Sequence, residues 1–255
     1  MERHFACNAC GACCTGSLPL TFSEAREGFQ RFPLALVWTP VRQGARNFAL
    51  ASRLGAGVRL RDRRHYAILI TPTVYLPPEV PCPERTGAGL CAIHAEKPLR
   101  CRTMPFYPWR EEEDQAELLI PRKGWTCETS KAAPVAYRNK TIVEAGDFQR
   151  ERQALEAQAS LVQTYFNKVS RYAPQILDNL NQVTARKGNG SLTTGFETCL
   201  ALMPGWINAA TFARAQIPLL AHYEEITRAD PVLARWANRY RLFREALSPY
   251  AERSS

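Results

Sequence analysis

Residues 7–16 read Cys-Asn-Ala-Cys-Gly-Ala-Cys-Cys-Thr-Gly, a CxxCxxCC run with four thiols in eight positions. Four more cysteines follow, Cys82, Cys91, Cys101 and Cys127, and of the nine in the chain only Cys199 lies beyond them. A thiolate is a nucleophile and a soft metal ligand. The small residues between the first four let the backbone turn around an ion. Such a run is hard to explain as core packing. In a reducing compartment, clustered cysteines bind metal or do redox chemistry more often than they pair as disulfides. Cys7, Cys10, Cys13, Cys14, Cys82, Cys91, Cys101 and Cys127 are therefore read as metal ligands, and Cys199 as a small buried apolar residue.

Spacing excludes several familiar sites. A zinc ribbon needs two CxxC knuckles, but Cys82 and Cys91 have eight residues between them. A thioredoxin-type motif follows a strand, for which the six residues before Cys7 leave no room. A radical S-adenosylmethionine loop, CxxxCxxC, would start at Cys10 and Cys14 but meets Ser17 where its third thiol belongs. Cys7, Cys10 and Cys13 match the first three thiols of a bacterial ferredoxin run, and Cys14 then comes too early for the fourth. Adjacent side chains diverge, so the pair Cys13-Cys14 points to a second ion or to a polynuclear cluster. Two four-thiolate sites and one larger cluster both satisfy the count. The CxxCxxC run and the absence of a spaced histidine pair favour an iron–sulfur cluster; all-cysteine zinc sites are common and keep zinc open. Arg100 and Arg102 flank Cys101 and are expected to donate to thiolate sulfur. Met104–Trp109 is expected to wall the site, and His4, His65, His94 and His222 are not read as ligands.

Taken together, CxxCxxCC, Gly89-Leu-Cys91-Ala-Ile-His94 and Lys97-Pro-Leu-Arg-Cys101-Arg-Thr-Met-Pro105-Phe resemble the YkgJ-type cysteine-cluster family. That family is described as a zinc- or iron-chelating domain related to the flagellin lysine N-methylases. Its usual pattern carries Tyr where His94 stands and Arg where Lys97 stands. The resemblance covers about residues 5–130. It implies iron or zinc ligation by the eight clustered cysteines, without establishing a reaction. Two function classes follow. One is a metal-binding module; the other is a cluster-dependent modifying enzyme, such as a protein lysine N-methyltransferase acting on a protein substrate. The chain shows no S-adenosylmethionine fingerprint, Gly-rich phosphate loop or GxSxG elbow, which ranks the binding module first.

The rest of the sequence must position these thiols. Its 255 residues, 45% hydrophobic and 22% charged, can bury a core. The net charge of +9 is a weak argument for nucleic acid, because thiolate sites would offset part of it. The densest basic stretch, Arg59, Arg61, Arg63 and Arg64, reads as a solvated edge strand or loop. No apolar run is long enough to span a bilayer and no signal-peptide core is visible, so a cytoplasmic protein is expected.

Ser23 is expected to start a short helix. Extended segments are expected at Phe48–Leu50, Val58–Leu60, Tyr66–Leu76 (edge-like at Pro72) and Ala116–Ile120. Residues 77–109, rich in Pro and Gly, read as loop held by metal. From Asp147 the apolar residues Phe148, Leu155, Val162, Phe166, Val169 and Ile176 predict an amphipathic helix interrupted at Pro174. A loop at Lys187–Gly190 and helices near 206–227 and 230–247 follow, the last ending at Ser248-Pro249. The expected fold is α+β: a loop-rich cysteine-cluster domain over 1–145 with a few short antiparallel strands, then a helical region over 146–255 sharing its core.

Overall fold

The computed structural model of the chain describes residues 2–122, 124–186 and 190–252. Two antiparallel sheets, with helices concentrated in the C-terminal half, make the fold α+β. The chain divides into two compact units, one of Met1–Gly16 with Pro78–Ala157, the other of Ser17–Pro77 with Gln158–Ser255. It therefore passes between the units three times, after Gly16, Pro77 and Ala157, whereas the sequence reading placed one boundary at 145/146.

The first unit holds all eight clustered cysteines. Its sheet has the order β1 (Glu2–His4), β6 (Val135–Arg138), β7 (Thr141–Ile142). Asn139 and Lys140 join the last two strands, both with positive φ, as a tight hairpin turn requires. Two helices belong here, α3 (Leu99–Thr103) and α4 (Gly146–Ala157). Leu119, Tyr137, Ile142 and Phe148 form its apolar core, with Phe5 and Phe106 packed against them. The strand expected at Ala116–Ile120 is instead a 3-10 turn over Ala116–Leu119. Only Leu119 of that segment goes fully inside, and the amide of Leu118 bonds back to Gln115. Gln115 is itself fully buried. Its Oε1 accepts from the Tyr107 amide, and its Nε2 faces the carbonyls of Tyr107, Arg110 and Glu111.

In the second unit a sheet runs β2 (Leu18–Pro19), β5 (His65–Val74), β3 (Leu34–Arg42), β8 (Leu192–Thr194), and β4 (Ala56–Arg59) also pairs with β5. Strand β5 is thus central, not edge-like. Pro72 is accommodated because its other side falls between the stretches paired with β4 and β2, where its carbonyl accepts from Leu20. Phe48 and Leu50 lie in a helix, α2 (Phe48–Leu54), rather than a strand. Leu50, Ala51 and Leu54 are buried at helical spacing, and two apparently alternating residues were too short a window to tell the periods apart. Gly55 ends α2 where an added Cβ would stand 2.4 Å from the Ile68 carbonyl oxygen. The basic stretch at 59–64 caps the β4–β5 hairpin, exposed, with Arg61 paired to Asp178.

Helix α1 (Phe22–Gly28) starts one residue before Ser23, on a capping box made by Thr21 and Glu24. The long periodic run from Phe148 resolves into α4, α5 (Ala159–Tyr172) and α6 (Pro174–Ala185). The first break is at Gln158, whose side chain leaves the run to accept from the Phe22 amide, and the second is at Ala173, ahead of Pro174. Next come α7 (Glu197–Leu202), α8 (Ala209–Arg228) and α9 (Ala234–Ala251), which continues through Pro249 instead of stopping at Ser248. Of the loop expected at Lys187–Gly190, residues 187–189 lie outside the described residues.

Strands from residues 34–74 and helices from beyond 158 share the second unit's core. Trp38 and Tyr165 pack with ring centroids 5.6 Å apart, and Tyr240 donates to the Tyr75 carbonyl. Gln216 on α8 is fully buried; its Nε2 donates to the carbonyls of Phe29 and Phe32 and its Oε1 accepts from the Leu34 amide. Gln216→Leu strands three buried backbone groups, each costing about 1–3 kcal/mol. Urea unfolding should show a loss of about 3 kcal/mol or more.

Glu197 opens α7 with Oε2 buried and without a hydrogen-bond partner, and burial raises its pKa above the ordinary 4.5. A raised acid favours the folded state below its unfolded pKa and loses that contribution as pH rises through the folded value. Glu197→Gln should accordingly raise the melting temperature more at pH 8 than at pH 4, measured on the full chain at both values.

Candidate metal centre

The CxxCxxCC loop is held at both ends by backbone pairing. On its N-terminal side Ala6 and Glu128 exchange both amide hydrogen bonds, at 2.8 and 3.0 Å. Asn8 Nδ2 adds bonds to the Thr126 carbonyl and hydroxyl, at 2.5 and 3.0 Å. Cys7 and Cys10 are thereby brought beside Cys127. The Cys10 sulfur accepts from the backbone amides of Thr126 and Ala12, which lowers its pKa, and the thiols of Cys10 and Cys127 interact.

On the C-terminal side the Cys82 amide donates to the Cys14 carbonyl at 2.9 Å, Thr15 bridges Pro81, and the Gly16 amide donates to Val80 at 3.0 Å. Residues 82–92 then fold back on themselves: Arg85 bonds to Cys82, Ala92 to Glu84, and Arg85 bridges Cys91. This turn carries Cys82 and Cys91 together. Within the loop, the Cys14 amide closes a turn onto Gly11, whose φ is +69°. A Cβ at Gly11 would fall 2.7 Å from the Gly89 carbonyl oxygen, so glycine is required where the two loops touch.

Cys101 comes from α3. Its neighbour Arg100 is almost wholly buried, forms an ion pair with Glu151 of α4 at 3.5 Å, donates to the Phe106 carbonyl, and lies over the Tyr107 ring. Arg102 donates to the carbonyls of Lys97 and Ala95, at 2.9 and 2.6 Å, bracing the turn before α3. Both arginines thus have partners other than the sulfur contact expected of them. Arg100 still acts on Cys101 through space, opposing the burial and the neighbouring Cys82, Cys14 and Cys91 thiols that push the Cys101 thiol up to about 12. Tyr107 and Trp109 stack at 5.0 Å beyond it.

The vicinal pair behaves as a unit. The hydrogen bond between the two thiols holds Cys14 down, at about 6 with help from Arg85 and Lys97, and pushes Cys13 up. Cys13 also feels the charges of Cys7 and Cys101. Burial raises Cys82 and Cys127. Like charges among neighbouring thiolates oppose loss of further protons, and a bound cation reverses that balance. In the sequence Lys97 is singled out only as part of the family pattern, and Arg85 is not singled out. Arg85 sits three residues after Cys82, in the same turn as two ligand candidates, and that position was the signal available.

His4 in β1 bonds to the Ala133 carbonyl, and His94 and His65 are exposed. Cys199 lies apart, buried on α7, its thiol pushed up to about 12 by that burial. The donor chemistry of eight sulfurs in one unit is that of a thiophilic site. Among the described residues, no three His, Cys, Asp or Glu side chains are grouped so as to hold an ion. Comparison with protein-family models, with curated proteins and with solved structures finds no match to this chain.

The Arg100–Glu151 pair anchors the helix that carries Cys101. Glu151→Ala leaves a buried guanidinium without its counter-charge, an expected loss of about 3–5 kcal/mol. Replacing both members, as in Arg100→Met with Glu151→Leu, should recover much of it in the same denaturation assay.

Proposed function

We propose that this chain is a metal-binding protein whose eight clustered cysteines chelate iron, as an iron–sulfur cluster, or zinc. The observation that supports the reading is the double pairing of the CxxCxxCC loop, to 126–128 on one side and to 80–82 on the other. That pairing gathers thiols from positions 7 to 127 into one unit. The resemblance to the YkgJ-type family points the same way, and the reading places the protein in a reducing, cytoplasmic setting in which thiols persist unpaired. No helix among the described residues is long and apolar enough to cross a membrane. A bound metal would supply folding free energy to loops with little regular structure, on the order of 10–16 kcal/mol for a structural zinc. A cluster would add one-electron chemistry.

Anaerobic purification, elemental analysis and a visible spectrum test the reading. Iron with acid-labile sulfide and a brown colour supports the cluster, and a colourless protein with zinc supports the ion. Cys10→Ser and Cys101→Ser should lower the metal content and Cys199→Ser should not. Wild-type metal content in Cys101→Ser would remove Cys101 from the ligand set, and a metal-free wild type would overturn the reading.

A further inference from the structure

The contact between Ala6 and Glu128 sets a register. Each amide donates to the other residue's carbonyl, so the two form a hydrogen-bonded antiparallel pair. The same register is held two residues further into the loop. There the Asn8 side chain donates to the carbonyl and the hydroxyl of Thr126. Between these two contacts one residue remains on each segment, Cys7 on the first and Cys127 on the second. They therefore stand opposite each other. Next to a hydrogen-bonded pair, an antiparallel ladder places a non-hydrogen-bonded one, with Cα atoms about 4.5 Å apart and both side chains on the same face. That separation lies within the roughly 4.4–6.8 Å that a disulfide spans.

We propose that Cys7 and Cys127 are a peroxide-oxidisable dithiol that closes into a reversible cross-strand disulfide. The step needs no metal and goes beyond the metal-binding reading. Cys7 is the sulfur that meets the oxidant. It is exposed, whereas Cys127 is partly covered, and the Ala9 amide donates to the Cys7 sulfur at 3.4 Å. The Cys7 thiolate attacks one oxygen of the peroxide and the O–O bond breaks. Hydroxide leaves, takes up the proton that Cys7 released and becomes water, and Cys7 is left as a sulfenic acid. The Cys127 thiolate then attacks that sulfur. The S–S bond forms, the S–O bond breaks, and the departing hydroxide takes the proton from Cys127 as a second water. Two electrons pass from the thiol pair to the peroxide, and a dithiol reductant returns them by exchange.

Two other pairings compete, and the backbone disfavours both. The thiol of Cys10 also interacts with Cys127. But the chain turns away from the pairing at Ala9, whose φ is +56°, so Cys10 lies outside the register. Cys13 and Cys14 hydrogen-bond through their thiols. As sequence neighbours, however, they have Cα atoms only about 3.8 Å apart, short of the usual disulfide span. A Cys7–Cys127 bridge ties the N-terminal flank of the loop covalently to 126–128. Under the metal-binding reading it also takes two of the eight candidate ligands out of use, so oxidation and metal loading oppose each other.

The full chain, purified anaerobically without chelator, is treated with equimolar hydrogen peroxide, blocked with iodoacetamide and digested with trypsin without reduction. Mass spectrometry should find residues 4–26 linked to residues 124–131, with fragmentation assigning the bridge to Cys7 and Cys127. Dithiothreitol should return both thiols. Cys10→Ser should form the same bridge and Cys7→Ser should lose it, while the wild-type map stands without either variant. A main product joining Cys127 to Cys10, or Cys13 to Cys14, overturns the proposal. So does Cys7 found as sulfinic acid beside a free Cys127, or a chain left fully reduced. Metal content of the untreated chain separates the two readings. A metal-free chain that forms the bridge overturns the metal-binding reading alone, and a metal-loaded chain that does not form it overturns this proposal alone.

Discussion

The arrangement of the thiols depends on two short antiparallel contacts, Ala6 with Glu128 and Cys14-Thr15 with Pro81-Cys82. Each is only a bridge, too short to count as a strand. Together they fix both ends of a ten-residue loop whose interior has little other constraint. A loop tied at one end would present its thiols as a mobile string; tied at both, it has a defined path. Gly11 then lets that path approach the 85–89 turn closely, its positive φ and missing Cβ serving the same contact. Around this centre the cations come from different segments: Arg85 from the turn, Lys97 from before α3, Arg100 from within it. Such charges favour the thiolate form of Cys14 and oppose the upward push on Cys101.

Buried polar side chains take the place of regular structure in several parts of the molecule. Gln115 holds the loop after Pro105 by satisfying one amide and facing three carbonyls, and Gln216 does the same between α1 and β3. In both cases an irregular backbone runs into the interior, where its polar groups need partners. A single amide side chain, with donors and an acceptor at its tip, meets that need where a ladder cannot reach.

Much of this was legible from sequence, and the parts that were not have physical reasons. The eight cysteines, the loop-rich segment between them and the helical C-terminal half followed from residue type and the 3.6-residue period. Strand β3 was missed because Pro33 and Pro40 punctuate a segment whose apolar residues run together rather than alternate. Strand β5 was misread as an edge because the tolerance of Pro72 depends on where β2 and β4 stop, which is a tertiary fact. Helix α4 was grouped with α5 and α6 because their apolar faces share a period; the break at Gln158 depends on the Phe22 amide, which is 136 residues away in sequence. At the site, residue types were readable. The partners of Arg100 and Arg102 were not, since a guanidinium beside a cysteine in sequence can as well turn to a carboxylate on the next helix.

The wide separation of the loop's partners also sets an order of events during synthesis. The CxxCxxCC loop leaves the ribosome first, followed by Cys82 and its turn, and Glu128 comes last. At roughly 5–20 residues per second the interval between Cys14 and Glu128 is on the order of ten seconds. Through that interval the first four thiols lack the segments that pair with their loop, and Cys14, whose thiol is held low in the folded protein, is among those made earliest. The nascent chain thus passes through a stage at which these thiols are open to oxidants, before the segments that pair with their loop have been made.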